Sequence, residues 1–134
     1  MSEGETILII DDSRTVRRMV GSSLRSLGYE VIEAEDGIQG LEMLGMHFVD
    51  LVIVDLVIVD LNMPNMDGLE FTRQARAQNM FVDLPIIMLT TEAGDDQRAR
   101  GFEAGVNTYL VKPVTMHMLD YKMRALLDAR SPRS

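Results

Sequence analysis

At 134 residues, with a net charge of −8 and no cysteine, the chain can build one core and no disulfide scaffold, cysteine-based zinc site or thiol chemistry. The acidic balance argues against a nucleic-acid binder, which needs clustered cations, and fits a bound cation or a partner with a basic face. No apolar run approaches the ~20 residues of a membrane span, and the acidic start Met-Ser-Glu-Gly-Glu-Thr lacks the basic and apolar regions of a secretory signal, so a cytoplasmic protein is expected.

Thr6–Ile10 is a continuous apolar run, the pattern of a strand buried on both faces. Residues 13–27 follow with Val16, Met19, Val20, Leu24 and Leu27 at helical spacing, and Gly28 stands where helices often terminate. A second strand is predicted over 29–34. A second helix follows over 36–46, with Ile38, Leu41 and Leu44 on one stripe. The third strand region is unusual: Asp-Leu-Val-Ile-Val occurs twice, at Asp50–Val54 and Asp55–Val59, and a third Asp follows at position 60. Residues 62–68 are rich in turn formers and lead into a helix over 69–78. A fourth strand over 84–89 carries Pro85 at its start, where a missing N–H is tolerated. A helix over 95–104 closed by Gly105, a strand over 107–111 and a helix over 114–129 complete the pattern, with Ser131–Ser134 read as a frayed tail. The eleven methionines read as adaptable core filler.

Five β–α units of this size imply an α/β fold in one domain, its core spanning about 6–129. The sheet is parallel, with helices on both faces joined by right-handed crossovers. In such a sheet ligands bind beyond the carboxyl ends of the strands. There the sequence places Asp11-Asp12 after strand one, Asp60 and Asn62 after strand three, Thr90-Thr91-Glu92 after strand four and Lys112-Pro113 after strand five. Three carboxylates brought together repel unless a cation or protons compensate. A hard divalent cation such as Mg²⁺ suits them, since it takes few protein oxygens alongside waters and a phosphate oxygen. Lys112 and a Thr hydroxyl then suit the remaining oxygens of an anion, so the residues themselves suggest a Mg²⁺-assisted phosphoryl site. Asp67-Gly68 reads as a turn or the start of a helix, without a chemical role.

Ile-Ile-Asp-Asp-Ser at 9–13, Asp-Leu-Asn-Met-Pro-Asn-Met-Asp-Gly at 60–68, Leu-Thr-Thr-Glu at 89–92 and Val-Lys-Pro at 111–113 together resemble the receiver domain of response regulators. The resemblance is to the single-domain chemotaxis type and covers nearly the whole chain. It implies a doubly wound, flavodoxin-like fold: a five-stranded parallel sheet in the order 2-1-3-4-5, flanked by five helices. It implies that the protein is a two-component phosphoacceptor rather than an enzyme, assisting its own phosphorylation and dephosphorylation. Asp60 would accept the phosphoryl group from a phosphohistidine on a sensor histidine kinase. Asp11, Asp12, Asp60 and the backbone carbonyl of Asn62 would hold Mg²⁺, Lys112 would pair with the acyl phosphate, and Thr90 would hydrogen-bond to it. The peptide before Pro113 would be cis, as family members often have it. Tyr109 would move with Thr90 as the switch aromatic, while Asn62 and Glu92 would govern access of water to the phosphate. The implied output surface is strand five with residues 97–104 and 115–127, serving a downstream protein such as a flagellar motor component.

Rival readings fit less well. A Mg²⁺-dependent phosphohydrolase with an Asp nucleophile typically has a second Asp two residues on as acid/base, and Asn62 cannot do that work. A nucleotide-binding module would need a Gly-rich loop where the chain has Asp-Asp-Ser-Arg-Thr. A receiver fragment of a larger regulator is a further alternative, and a free-standing protein is preferred to it.

The repeat raises its own question. Residues 50–60 would span ~36 Å if extended, too long for neighbours of about five residues. If the second copy fills the sheet, Asp60 reaches the site. If the first does, Asp55 takes its place. If the surplus projects, it could pair with a second chain in a swapped dimer. Only Asp60 stands directly before the loop that puts Asn62 two residues on, so the second copy is expected in the sheet.

Overall fold

A computed structural model describes residues 4–50 and 52–129; residues 1–3, Leu51 and residues 130–134, which include the expected tail Ser131–Ser134, lie outside the described residues. Five strands, β1 (Thr6–Ile10), β2 (Glu30–Ala34), β3 (Leu56–Val59), β4 (Ile86–Thr90) and β5 (Thr108–Val111), alternate with helices α1 (Arg14–Ser26), α2 (Gly37–Val49), α3 (Gly68–Arg76), α4 (Asp95–Ala104) and α5 (Met116–Ala129). All pairings are parallel, in the order β2-β1-β3-β4-β5, which is the doubly wound arrangement expected from the sequence. Among the described residues no helix is long and apolar enough to cross a membrane.

The strands at the centre explain the continuous apolar runs. On β1, β3 and β4, Leu8, Ile10, Val57, Val59, Ile86 and Met88 pack on one face with Leu44, Phe71 and Ala75. Ile7, Ile9, Leu56, Ile58, Ile87 and Leu89 pack on the other with Leu24, Leu119 and Met123. Successive side chains point to opposite faces, and both faces are covered, so no alternation with polar residues is visible. A short 3-10 turn at Asn79–Phe81 was not anticipated. α1 is capped by Ser13, whose hydroxyl accepts from the Val16 N–H at 3.2 Å, rather than by the preceding aspartates. α5 is tied to the starts of β1 and β2 through buried Tyr29. The Tyr29 hydroxyl donates to Asp120 at 2.8 Å and accepts from Arg124 Nε at 2.9 Å, while Arg124 also pairs with Glu5. Burial, together with the Asp120 carboxylate, pushes the Tyr29 phenol up to about 12.

The second copy of the repeat is β3, in register with β1 from Ile7↔Leu56 to Ile10↔Val59. The first copy is spent before the sheet. α2 runs to Val49 and is capped by Asp50, three residues beyond the helix predicted over 36–46, because the surplus chain lets the helix continue. Val52 and Ile53 cross the surface 43% and 53% exposed, and Val54 turns back onto the core. Asp55, 1% exposed, closes the segment: its N–H donates to the Thr6 carbonyl at 2.8 Å and its carboxylate accepts from the Thr6 N–H at 2.7 Å. Asp55 thus lies at the amino edge of the sheet and Asp60 at the carboxyl edge.

Deleting Asp50–Val54 places Val49 where Val54 packs, keeps Asp55 on Thr6, and removes half-exposed apolar chain from a long connection. Urea unfolding is expected to show the shortened protein more stable by on the order of 1 kcal/mol, with helical circular dichroism reduced only by the last turn of α2. A less stable or unfolded product would mean that the first copy has an integral role in the fold.

Candidate functional site

The site is built where β1, β3, β4 and β5 end. β1 delivers Asp11, nearly buried at 5% exposure, and the exposed Asp12. The backbone of Asp11 is fixed on both sides: its N–H donates to the Ala34 carbonyl at 3.1 Å, and its own carbonyl accepts from Arg17 at 2.6 Å. One Asp11 carboxylate oxygen accepts from the Ser13 N–H at 2.8 Å, leaving the other facing Lys112 at 3.5 Å. β3 delivers half-buried Asp60, whose N–H donates to the Ile10 carbonyl at 2.9 Å. One oxygen each of Asp11, Asp12 and Asp60 falls within 4.8 Å of the others. Such a set of hard oxygen donors on one rim fits a small divalent cation that keeps several waters. Burial raises the Asp60 carboxyl to about 6, and the nearby Asp11 charge adds to this. The Lys112 ammonium and the N–H groups of Asn62 and Leu61 pull the other way.

The residues predicted for the anion side face the same rim. Lys112 follows β5, its N–H donating to the Thr90 carbonyl at 2.7 Å, and the Lys112–Pro113 peptide is cis. Thr90 ends β4 fully buried, and its hydroxyl accepts from the Glu92 N–H at 3.2 Å. Asn62 and Glu92 meet across the opening, the Asn62 amide donating to the Glu92 carboxylate at 3.2 Å. Tyr109 is buried at 2% exposure. Its hydroxyl donates to the Glu92 carbonyl at 2.6 Å, and its phenol is held above the ordinary value by burial and the Glu92 charge. Arg98 lies over the Tyr109 ring, 5.3 Å from its centroid, and donates to the Tyr109 carbonyl at 3.2 Å. The predicted residues Asp11, Asp12, Asp60, Thr90 and Lys112 therefore share one rim, with Asn62, Glu92 and Tyr109 linked to it through the loop after β4.

Residues missed by the sequence reading hold the loop after β3 in place. Asp36 caps α2 by accepting from the Gln39 N–H at 2.8 Å, and its other oxygen accepts from the Asn65 side-chain amide at 2.9 Å. These bonds hold the Asp36 carboxyl below its usual value. Asn65 adopts the left-handed conformation, φ 69°, which Asn tolerates better than most residues. Asp67 caps α3 by accepting from the Glu70 N–H at 2.9 Å, the helix-starting role expected of it. At Gly68 a Cβ would stand 2.4 Å from the Asp60 carbonyl oxygen, so only glycine lets the helix start this close to Asp60. The Asp36 contact was foreshadowed only by an Asp standing just before a helix; its reach to Asn65 is a tertiary contact without a local signature.

Residues 7–124 match the response regulator receiver domain family. The chain is 43% identical over 122 residues to the chemotaxis protein CheY1 of Helicobacter pylori, covering 90% of this chain and 95% of that protein. It is 40% identical over 126 residues to the chemotaxis protein CheY homolog of Campylobacter jejuni, covering 93% and 94%. Among solved structures, the chemotaxis protein CheY4 of Vibrio cholerae superposes with a TM-score of 0.82 at 34% identity, covering 92% of this chain and 98% of that one.

The raised Asp60 carboxyl sets a pH dependence. Below about pH 4 the group is protonated whether folded or unfolded and contributes no difference. As pH rises through about 6, the folded protein must carry the charge in a half-buried site, and stability is lost. In metal-free buffer at pH 8, Asp60→Asn is expected to be more stable than the parent by on the order of 1 kcal/mol after allowance for solvent screening. The gap should close toward pH 4 and narrow when Mg²⁺ is added. Equal urea midpoints at pH 8 would contradict the charge repulsion assigned to this rim.

Proposed function

The chain belongs to the response regulator receiver domain family, and we propose that it is a two-component signalling switch of the chemotaxis type whose phosphoacceptor is Asp60. A phosphohistidine on a sensor histidine kinase is the donor. A carboxylate oxygen of Asp60 attacks phosphorus, the phosphorus–nitrogen bond breaks, and the imidazole leaves with the electron pair. The observation that carries this reading is the placement of Asp60 among Asp11, Asp12 and Lys112 on one rim. Asp11, Asp12, Asp60 and the Asn62 carbonyl would hold Mg²⁺, which when bound compensates the carboxylate charge and draws charge from the phosphoryl oxygens.

The protein's own groups do the positioning on which in-line phosphoryl transfer depends. Asp11 holds Lys112 beside the rim, where its ammonium can accompany the transferred group. Asn62 and Glu92, joined across the opening, stand where water must pass to reach the acyl phosphate, so both set the lifetime of the signal. The Thr90 hydroxyl accepts from the Glu92 N–H and keeps its own hydrogen to donate to the new anion, so turning toward that anion draws Glu92 with it. The Glu92 carbonyl is also the partner of Tyr109, so the rearrangement passes to Tyr109, Arg98 and the face formed by β5, residues 97–104 and residues 115–127. That face would bind the output protein, such as a flagellar motor component, in the cytoplasm.

Incubation with acetyl phosphate and Mg²⁺ should give a single acyl-phosphate adduct by intact mass, mapping predominantly to Asp60, and EDTA should prevent it. Lys112→Ala should slow labelling on the order of 10²-fold, as expected for loss of a charge-stabilising group. Thr90→Ala should still label but lose the amide chemical-shift changes of residues 92–109. A parent protein that labels mainly at another residue, or labels equally in EDTA, would refute the assignment.

A further inference from the structure

The repeat extends beyond the five letters that announce it. Val49–Leu56 reads Val-Asp-Leu-Val-Ile-Val-Asp-Leu, identical at all eight positions to Val54–Leu61. The eight residues of the second copy include everything β3 contributes to the sheet. Val54 packs on the core, Asp55 grips Thr6, Leu56–Val59 pair with β1, and Asp60 and Leu61 leave at the carboxyl edge. If the chain slides by five residues, every one of these places receives the same residue type. Asp50 can hold Thr6, Leu51–Val54 can fill the strand, and Asp55 arrives where Asp60 stands. Because the slide equals the repeat length, it changes neither the pairing nor which side chains face each layer, the usual penalties of a register shift.

The choice between registers therefore rests on the connections alone. On the amino side the slide unwinds the last turn of α2, where Met46, Phe48 and Val49 are 56%, 50% and 77% exposed. What is lost there is the α2 cap and the edge contact of Phe48 with Phe81, whose ring centroids are 6.2 Å apart. On the carboxyl side Val57–Leu61 would become a five-residue loop before Asn62. Some exposure is exchanged in return, since the half-exposed Val52 and Ile53 become buried. The contacts of Gly68 with the Leu61 carbonyl, 2.9 Å, and with the Asp60 backbone would pass to Leu56 and Asp55, so the register seen is favoured by the short loop after Asp60 and by the Asn62–Glu92 bond that this loop positions.

We propose that β3 has this second register, and that in it Asp55 is an alternative phosphoacceptor. The inference rests on the functional reading of the rim given above. The ligand that Asn62 offers to a cation is a backbone carbonyl, which any residue can supply, and Val57 stands two residues after Asp55 as Asn62 stands two after Asp60. With acetyl phosphate as donor, an Asp55 carboxylate oxygen attacks phosphorus, the bond from phosphorus to the acetyl oxygen breaks, and acetate leaves with its electron pair. Val57 has no amide to place against Glu92, so hydrolysis of this second acyl phosphate is not governed by the Asn62–Glu92 pair.

Two variants test the proposal, each treated with acetyl phosphate and Mg²⁺ and mapped by peptide mass spectrometry. Asp60→Asn should label at Asp55, with a yield at least tenfold below the parent's, and adding Asp55→Asn should abolish it. Ile58→Lys places a charge at a position 3% exposed in the present register and in the loop of the other. The full chain should keep a cooperative melt and label at Asp55, whereas the same substitution in a chain lacking Asp50–Val54 should lose the melt. If Asp55 stays unlabelled in both full-length variants while the parent labels at Asp60, the second register is overturned and the reading of the rim stands. If the parent fails to label at all, it is that reading which falls.

Discussion

Three carboxylates whose oxygens approach within 4.8 Å repel one another, and much of the molecule is arranged to hold them there. A flexible loop would let them separate. Asp11 and Asp60 instead leave the ends of two adjacent strands buried on both faces, and the Asp60 N–H continues their ladder to the Ile10 carbonyl. Arg17 and Ser13 fix Asp11 from the side of α1, and Lys112 supplies a compensating charge 3.5 Å from its carboxylate. The raised Asp60 carboxyl is the residue of repulsion and desolvation that these contacts do not remove.

From that rim a short chain of contacts leads outward. Thr90 is held by Glu92, Glu92 by Asn62 and Tyr109, and Tyr109 by Arg98. Each link is one hydrogen bond between a strand end and the neighbouring loop or helix, so a change of partner at Thr90 needs no large movement of the sheet. A Cβ at Gly101 would meet the Tyr109 ring at 2.8 Å, so α4 lies directly against the aromatic that the loop holds. Arg76 braces the end of α4 beyond that contact, donating to the Gly105 carbonyl at 3.0 Å and to Asn107 at 2.9 Å.

The sequence was most legible where one residue type had one physical reason to stand where it does. Strands buried on both faces leave unbroken apolar runs, and polar residues collect where those runs stop, so the rim of Asp11, Asp12, Asp60, Thr90 and Lys112 could be read from strand ends alone. The spacing from Asp60 to Asn62 selected the copy of the repeat that forms β3. The extension of α2 to Val49 escaped notice because its cause is the surplus chain, not local propensity, which weakens at Gly45. Arg76 bonding to Gly105, Asp36 to Asn65 and Tyr29 to Asp120 and Arg124 join residues far apart in sequence, and nothing local marks such polar partners.

The Tyr29 cluster fixes α5 at its middle. Asp120 and Arg124 attach the helix to the amino edge of the sheet through Tyr29 and Glu5, while its first turn follows Lys112 and Pro113 at the opposite edge. α5 is therefore held at its centre by polar contacts to one edge of the sheet, while the segment that leads into it carries the ammonium at the other edge, so a single helix spans the distance between the charged rim and the polar anchor beneath the sheet.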